Sequence, residues 1–318
     1  MQAILCEKLG NPEDLVLRDL PSPRPGPGEV KVALHARGVS FVDVLMIAGQ
    51  YQVKRDLPFI PGSEAAGTVL EVGAGVQQWQ PGDRVLASGG FAEETVVKAE
   101  QATRLPDSVS FETAASFRAS YHTAYYALQR GRLKAGETLL VHGAAGGVGL
   151  AAVDIGKLLG ATVIATASTP EKLAVCQQMG ADYVINYTQG FREQVHEITG
   201  GRWADVIYDP VGGDVFDESM RCIAPFGRIL IIGFTSGRAA LAKTNHVLIK
   251  DAEIIGLTIG ALSRHDPAWE QRNFAVLMRW LAAGRIHPYI SHRLPLAHAA
   301  EALNLVRTRQ VIGKAVLV

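Results

Sequence analysis

Thiols are scarce in this chain, with three cysteines in 318 residues. Cys6, Cys176 and Cys222 lie far apart and form no C-x-x-C pair, which argues against a disulfide framework and against a cysteine-rich zinc lobe. Net charge is missing too. Lys+Arg and Asp+Glu cancel at 31 each, so no basic surface field would draw in nucleic acid or anionic lipid. The apolar stretch 139–153 is interrupted by His142 and rich in Gly and Ala, unlike a membrane span. Met1-Gln-Ala-Ile-Leu-Cys-Glu-Lys8 carries charge too early for the apolar core of a signal peptide. A cytoplasmic protein with neither a membrane nor a nucleic-acid partner is expected. The nine histidines (35, 122, 142, 196, 246, 265, 287, 292, 298) show no i, i+4 ligand pairing, and no metal site is expected. Also absent are a Ser-His-Asp arrangement, paired carboxylates and an activated thiol.

What is present falls into three stretches. Residues 1–120 read as β-rich. Val30, Val32, Leu34 and Ala36 alternate with Lys31, His35 and Arg37, the period of a half-buried strand. Pro21-Ser-Pro23, Pro25-Gly-Pro-Gly28, Pro61-Gly62 and Pro81-Gly-Asp83 punctuate the short runs, which predicts a barrel-like domain. Ser40 is placed to cap a helix through Ile47, with Gly49 beyond its end. Residues 121–259 alternate strands (138–143, 161–167, 183–186, 205–209, 228–233 and 253–259) with helices, one opening at Thr169-Pro170 and another near Asp214. That alternation predicts an α/β domain with a parallel, doubly wound sheet. In residues 260–318, Phe274, Leu277, Met278 and Leu281 mark one helical face. Leu296, Ala300, Leu303 and Val306 mark another. The closing run Ala315–Val318 predicts a strand that rejoins the first domain, making the α/β domain an insertion with a cleft beside it.

The most informative segment is Thr138-Leu-Leu-Val-His-Gly-Ala-Ala-Gly-Gly-Val-Gly149. An apolar strand runs into small residues spaced Ala144-x-Gly146-x-x-Gly149 and then into an amphipathic helix. Such a turn brings backbone amides, here around Gly146, Gly147 and Val148, close to a pyrophosphate. An NAD-selective domain would end its second strand in a carboxylate, roughly 20 residues past the glycines. This chain has Ser168 there, with Lys172 one helical turn on. A hydroxyl and an ammonium suit a 2′-phosphate, which a carboxylate would repel. The alternative is that Ser168 and Thr169 only cap a helix and that Lys172 is solvated. Glu171 opposes the phosphate reading if it points inward. Tyr187, at the end of the third strand, offers a phenol to the same pocket or covers the core. NADPH is the expected cofactor.

With these residues placed, the chain closely resembles the zinc-independent quinone oxidoreductases of the medium-chain dehydrogenase/reductase superfamily. The resemblance runs nearly end to end. It rests on Gly38-Val-Ser-Phe-Val-Asp43, Gly49-Gln-Tyr51, Pro61-Gly-Ser-Glu-Ala-Ala-Gly67, Gly82-Asp-Arg-Val85, Thr123-Ala-Tyr125, the glycine turn, Tyr208-Asp-Pro-Val-Gly-Gly213 and Gly313-Lys-Ala-Val316. It implies a GroES-like catalytic domain, a Rossmann NADP-binding domain and a homodimer whose sheets join edge to edge. Ala252–Ile259 is the candidate edge strand, unless a loop shields it. Zinc alcohol dehydrogenases of the superfamily carry a catalytic Cys where this chain has Ser40, and a His where it has Ser63. The thiols of a catalytic or a four-cysteine structural site are therefore wanting.

The resemblance also implies roles. Ser40 takes the place of an Asn common at the cleft mouth, near nicotinamide and substrate, and lacks that residue's amide. Tyr51 either hydrogen-bonds a substrate carbonyl or packs a loop. Asp43 orients neighbours rather than transferring protons. Thr123 and Tyr126 line the nicotinamide side of the domain junction, and Ile232-Gly233-Phe234-Thr235 approaches the nicotinamide ribose. Asn245 binds the carboxamide or caps a turn. Arg309 contacts the cofactor or is solvated, and Arg118 favours an anionic substrate or is paired away. The expected activity is NADPH-dependent, metal-free hydride transfer to a quinone-like acceptor, which needs chiefly alignment and exclusion of water. Reduction of an enone or an enoyl or acryloyl-CoA double bond is the alternative reading. A non-catalytic, crystallin-like nucleotide-binding protein is a third.

Overall fold

The alternation at Val30–Ala36 lies within an 11-residue strand in the computed structural model, which describes residues 1–318. The chain divides into two units, Met1–Arg118 with Pro288–Val318, and Ala119–His287.

The first unit opens with an antiparallel pair, β1 (Gln2–Leu5) and β2 (Val16–Asp19). It continues with β3 (Glu29–Val39), α1 (Phe41–Ile47), β4 (Glu64–Val72), β5 (Arg84–Ala87), β6 (Glu94–Lys98), β7 (Thr103–Arg104) and α2 (Phe111–Ala115). Its closing segment supplies three further elements, given below. β3, β4 and β5 bury Val30, Val32, Leu34, Val69 and Val85 in one apolar cluster. Ser40, extended at φ −133°, begins α1 and Gly49 follows its end at φ 67°, so the local signals for this helix are realised.

The second unit runs α3 (Arg118–Arg130), β8 (Thr138–Val141), α4 (Gly147–Leu158), β9 (Thr162–Ala167), α5 (Pro170–Gln178), β10 (Tyr183–Asn186), α6 (Arg192–Ile198), β11 (Ala204–Asp209), α7 (Gly213–Cys222), β12 (Ile223–Ile231), α8 (Thr244–Lys250) and β13 (Glu253–Gly256). The strands are parallel and ordered β10-β9-β8-β11-β12-β13. The strand order reverses between β8 and β11, the switch point of a doubly wound fold. β13 stops at Gly256, short of the expected 259, because the Thr258 hydroxyl accepts from Ala261 N at 3.1 Å and caps α9 (Ile259–His265). α10 (Pro267–Ala282) follows within the same unit, burying Asn273, Leu277 and Leu281.

The chain re-enters the first unit at Pro288, later than residue 260, with β14 (Ile290–Leu294), α11 (Ala299–Arg307) and β15 (Lys314–Leu317). β15 pairs antiparallel with β3, giving the order β14-β15-β3-β4-β5-β7, and β6 also pairs with β3. α11 buries Ala299, Ala302 and Leu303, a face offset from the expected one at Ala300, against a core that includes Ile4, Val39, Ile47 and Leu317. No helix of the chain is long and apolar enough to cross a membrane.

Candidate active site

In the second unit, the predicted nucleotide residues gather where the strands end. Val141 of β8 lies between Ala165 of β9 and Tyr208 of β11, and the glycine turn leaves the sheet from there. The first bond within α4 runs from Leu150 N to Gly146 O at 2.8 Å. The amides of Gly147, Val148 and Gly149 precede it, so no carbonyl of the helix takes them. Gly149 is where helix and turn meet. A Cβ there would lie 2.7 Å from Ala144 Cα and 2.8 Å from its carbonyl carbon, and closer still to Gly143 O.

The end of β9 carries no carboxylate. Ser168 is half-buried, and the Thr169 hydroxyl accepts from Lys172 N at 3.3 Å, so the capping alternative is realised for Thr169. Glu171 is exposed. Tyr187 follows β10 half-buried and rests against the core of this unit. Ile232 N donates to Asp209 O at 2.9 Å beyond the end of β12, and Thr235 N donates to Pro210 O at 3.1 Å. These bonds hold Ile232, Gly233, Phe234 and Thr235 beside the end of β11.

Two buried groups at this edge were not singled out from the sequence. Asp209 is fully buried, and its Oδ1 accepts from Val211 N at 2.8 Å and Gly212 N at 3.0 Å. Its Oδ2 has no partner, and burial raises its pKa. Gly212 allows this turn by standing at φ 69°. His142 is also fully buried. Its Nε2 lies 2.8 Å from Ser219 Oγ and its Nδ1 lies 3.0 Å from Thr166 Oγ1. The Ser219 hydroxyl donates to Val215 O at 2.7 Å, so it accepts from His142 Nε2–H, and Nδ1 accepts from Thr166. The ring is a neutral cross-tie between β8, β9 and α7.

The remaining candidates of this unit lie on helices. Thr123 is half-buried on α3 and Asn245 is exposed on α8. Tyr126 is 5% exposed, with its hydroxyl accepting from Arg130 Nη1 at 3.1 Å and its ring edge-on to Trp269 at 5.2 Å. Its polar tip and one ring face are engaged within the unit.

In the first unit, Ser40 immediately precedes α1, and Tyr51 follows four residues after its last residue, Ile47. Tyr51 is half-buried and rests against the core around Ile47 and Phe91. Ser40 is half-buried, and both its N–H and its Oγ lie 2.8 Å from Asp43 Oδ2. Asp43 is fully buried and its Oδ1 has no partner. Burial pushes its pKa up to about 6 against the opposing bonds from Ser40. Beside it, Lys314 Nζ meets Glu64 Oε2 at 3.0 Å, with both side chains under a tenth exposed. Arg309 is exposed after α11 at φ 59°. Ser63 is exposed, and no group of three or more His, Cys, Asp or Glu side chains is arranged to hold a metal ion. Cys176 and Cys222 are buried thiols, pushed up to about 12 by burial.

The donors at the sheet edge fit a phosphorylated dinucleotide: free helix amides for a pyrophosphate, and a hydroxyl and an ammonium where a carboxylate would repel a further phosphate.

Comparison with known proteins adds to this geometry. Residues 26–107 match the alcohol dehydrogenase GroES-like domain, and residues 147–282 match the family described as zinc-binding dehydrogenase. A quinone oxidoreductase-like protein 2 homolog of Nematostella vectensis is 40% identical, over 99% of this chain and 88% of its own length. A 2-haloacrylate reductase of a Burkholderia species is 34% identical, over 100% of this chain and 98% of its own. Among solved structures, the Escherichia coli quinone oxidoreductase complexed with NADPH superimposes with a TM-score of 0.90 at 31% identity, covering 100% of both chains.

Proposed function

We propose a function from one premise: the chain belongs to the zinc-independent quinone oxidoreductases of the medium-chain dehydrogenase/reductase superfamily. That function is NADPH-dependent reduction of a quinone-like acceptor. The observation that carries the cofactor half is the end of β9, where Ser168 and Lys172 stand in place of an acid and Glu171 is exposed. Bound NADPH supplies the hydride. The protein's own residues hold it: Gly146, Gly147 and Val148 at the pyrophosphate, Ser168, Lys172 and Tyr187 at the 2′-phosphate, and Thr123, Tyr126, Ile232–Thr235, Asn245 and Arg309 toward the nicotinamide half. Ser40 and Tyr51 face the acceptor. The reading includes a cytoplasmic homodimer in which β13, the last strand of its sheet, pairs with a second copy.

The test is NADPH oxidation across a panel of ortho- and para-quinones, phenanthrenequinone among them, run beside enones, haloacrylates and enoyl thioesters. Turnover is expected with the quinones, and none across that set overturns the assignment. The 2-haloacrylate reductase among the relatives favours activated double bonds as the second reading, and preferential turnover of those substrates would establish it.

Cofactor choice has its own measurement. A charge-assisted hydrogen bond is worth about 1.5–3 kcal/mol, so Lys172→Ala is expected to weaken NADPH binding about ten- to a hundredfold and leave NADH binding unchanged. Equal loss for both would remove Lys172 from the phosphate site.

A further inference from the structure

The Ser40 corner holds two carboxyl groups and one ammonium away from water. Glu64 and Lys314 neutralise each other at 3.0 Å. Asp43, fully buried, makes no salt bridge, and its only hydrogen-bond partner is Ser40, whose N–H and Oγ both lie 2.8 Å from Oδ2. Ionising it would leave an uncompensated charge in a dry site, which is costly. The carboxyl therefore tends to keep a proton, and its raised pKa, about 6, has the same origin. Held on Oδ2, that proton points at Ser40 Oγ across 2.8 Å. Ser40 itself is half-buried and reaches the surface of the unit, so the pair forms a short path from a dry acid to a wet hydroxyl.

We propose that Asp43 and Ser40 form a two-step proton relay that supplies the oxygen of the reduced acceptor. The inference rests on the reading above in which Ser40 faces the acceptor. NADPH, held as above, would supply the hydride with both its electrons to the acceptor and would itself be oxidised. As negative charge develops on the acceptor oxygen, that oxygen bonds the Ser40 hydroxyl proton and the Oγ–H bond breaks. Ser40 Oγ in turn takes the proton from Asp43 Oδ2, which is left as carboxylate and is reprotonated from water before the next turnover. Ser40 is the catalytic residue of the pair, and Asp43 acts through it. The charged groups facing Asp43 are Glu64 from β4 and Lys314 from β15, with opposite effects on its proton. α11 packs on α1 through Ala299, Ala302 and Leu303, while its Glu301 and Arg307 are exposed.

The test combines a spectrum and a rate. In the cofactor-free protein, infrared difference spectra between acid and neutral pH should show a protonated-carboxyl stretch that Asp43→Asn removes and Ser40→Ala retains. In steady state, kcat for a quinone should fall as pH rises above the Asp43 pKa. Ser40→Ala should lower kcat about ten- to a hundredfold, at or below the lower end for general acids because water partly substitutes, and should flatten that profile. Ser40→Thr, which keeps the hydroxyl, should restore both. The dissociation constant for NADPH should stay within about twofold throughout. If Asp43→Asn does not fold, Ser40→Ala and Ser40→Thr carry the test alone. A wild-type pH profile retained in Ser40→Ala, or absence of the carboxyl band, overturns the relay. Absence of quinone turnover with the band present instead overturns the assignment of the acceptor.

Discussion

A Gly149→Ala variant is expected to lose about 3 kcal/mol of stability, the upper part of the range for overpacking, and most of its NADPH affinity. The reason is the rigidity of what the new methyl meets. It would lie 2.7 Å from Ala144 Cα and 2.8 Å from the Ala144 carbonyl carbon, and nearer still to Gly143 O. A flexible side chain swings aside at little cost, but these are backbone atoms of the turn itself. Ala144 N is bonded to Thr166 O at 3.0 Å and Gly146 N to Gly143 O at 3.0 Å, so the turn is held from both sides. Relief comes only from pushing the first turn of α4 off the sheet. That movement carries away the amides of Gly147 and Val148, so binding and stability fall together. Chemical denaturation and equilibrium NADPH titration on the same preparation measure both. A stable variant with unchanged affinity would show that the helix start has room, and would weaken its assignment as the pyrophosphate site.

That close approach is legible in the sequence as a small-residue spacing, because a turn of this kind is a local device. Other local devices were legible for the same reason. Ser40 before α1, and Thr169-Pro170 before α5, are capping signals whose partners lie three residues away. The six parallel strands were legible as short apolar runs; the inner strands β8, β9, β11 and β12 bury most of theirs, whereas the edge strands β10 and β13 bury one residue each. β12 begins at Ile223, before the expected 228, since Pro225, Phe226 and Gly227 look like a break although the strand passes through them. Phe226 stands at φ 61°, a local irregularity within the strand. What stayed hidden is polar and distant. Glu64 and Lys314 are 250 positions apart, and neither carries a mark that it will be buried against the other. For Asp43 the resemblance implied only an orienting role. Its burial brings it beside Glu64 of β4 and Lys314 of β15, distant in the chain, which no local pattern records. Asp209 likewise sits in a recognised motif, but its unpartnered oxygen follows from how β11 is flanked.

His142 shows the same limit, and yields the second large effect. Counted from the sequence, it was one histidine among nine with no ligand pairing. In the fold it is fully buried between Thr166 and Ser219, and burial lowers its pKa from 6.5 to about 3. Released by unfolding, the ring takes up a proton near pH 6.5 that the folded ring refuses until about pH 3. Between those limits the unfolded chain binds more protons, so stability rises with pH and is lost on acidification, by about 1.4 kcal/mol per pH unit. From pH 6.5 to pH 4 the cost is about 3 kcal/mol. Asp43 works in the opposite sense, because its raised pKa favours folding below its ordinary 3.8 and that contribution is lost as pH rises through about 6. The His142 contribution must therefore be read as a difference between variants. His142→Asn keeps a donor and an acceptor for the two hydroxyls but cannot take up charge. It is expected to be less stable than the wild type at pH 7, where two good hydrogen bonds become imperfect. The gap should close as pH falls, and the order of stabilities should reverse near pH 4. Urea denaturation midpoints at pH 7, 5.5 and 4 decide the matter. Parallel loss of stability in both proteins would mean that the ring takes up its proton without leaving the fold, and that the cross-tie between β8, β9 and α7 tolerates an imidazolium.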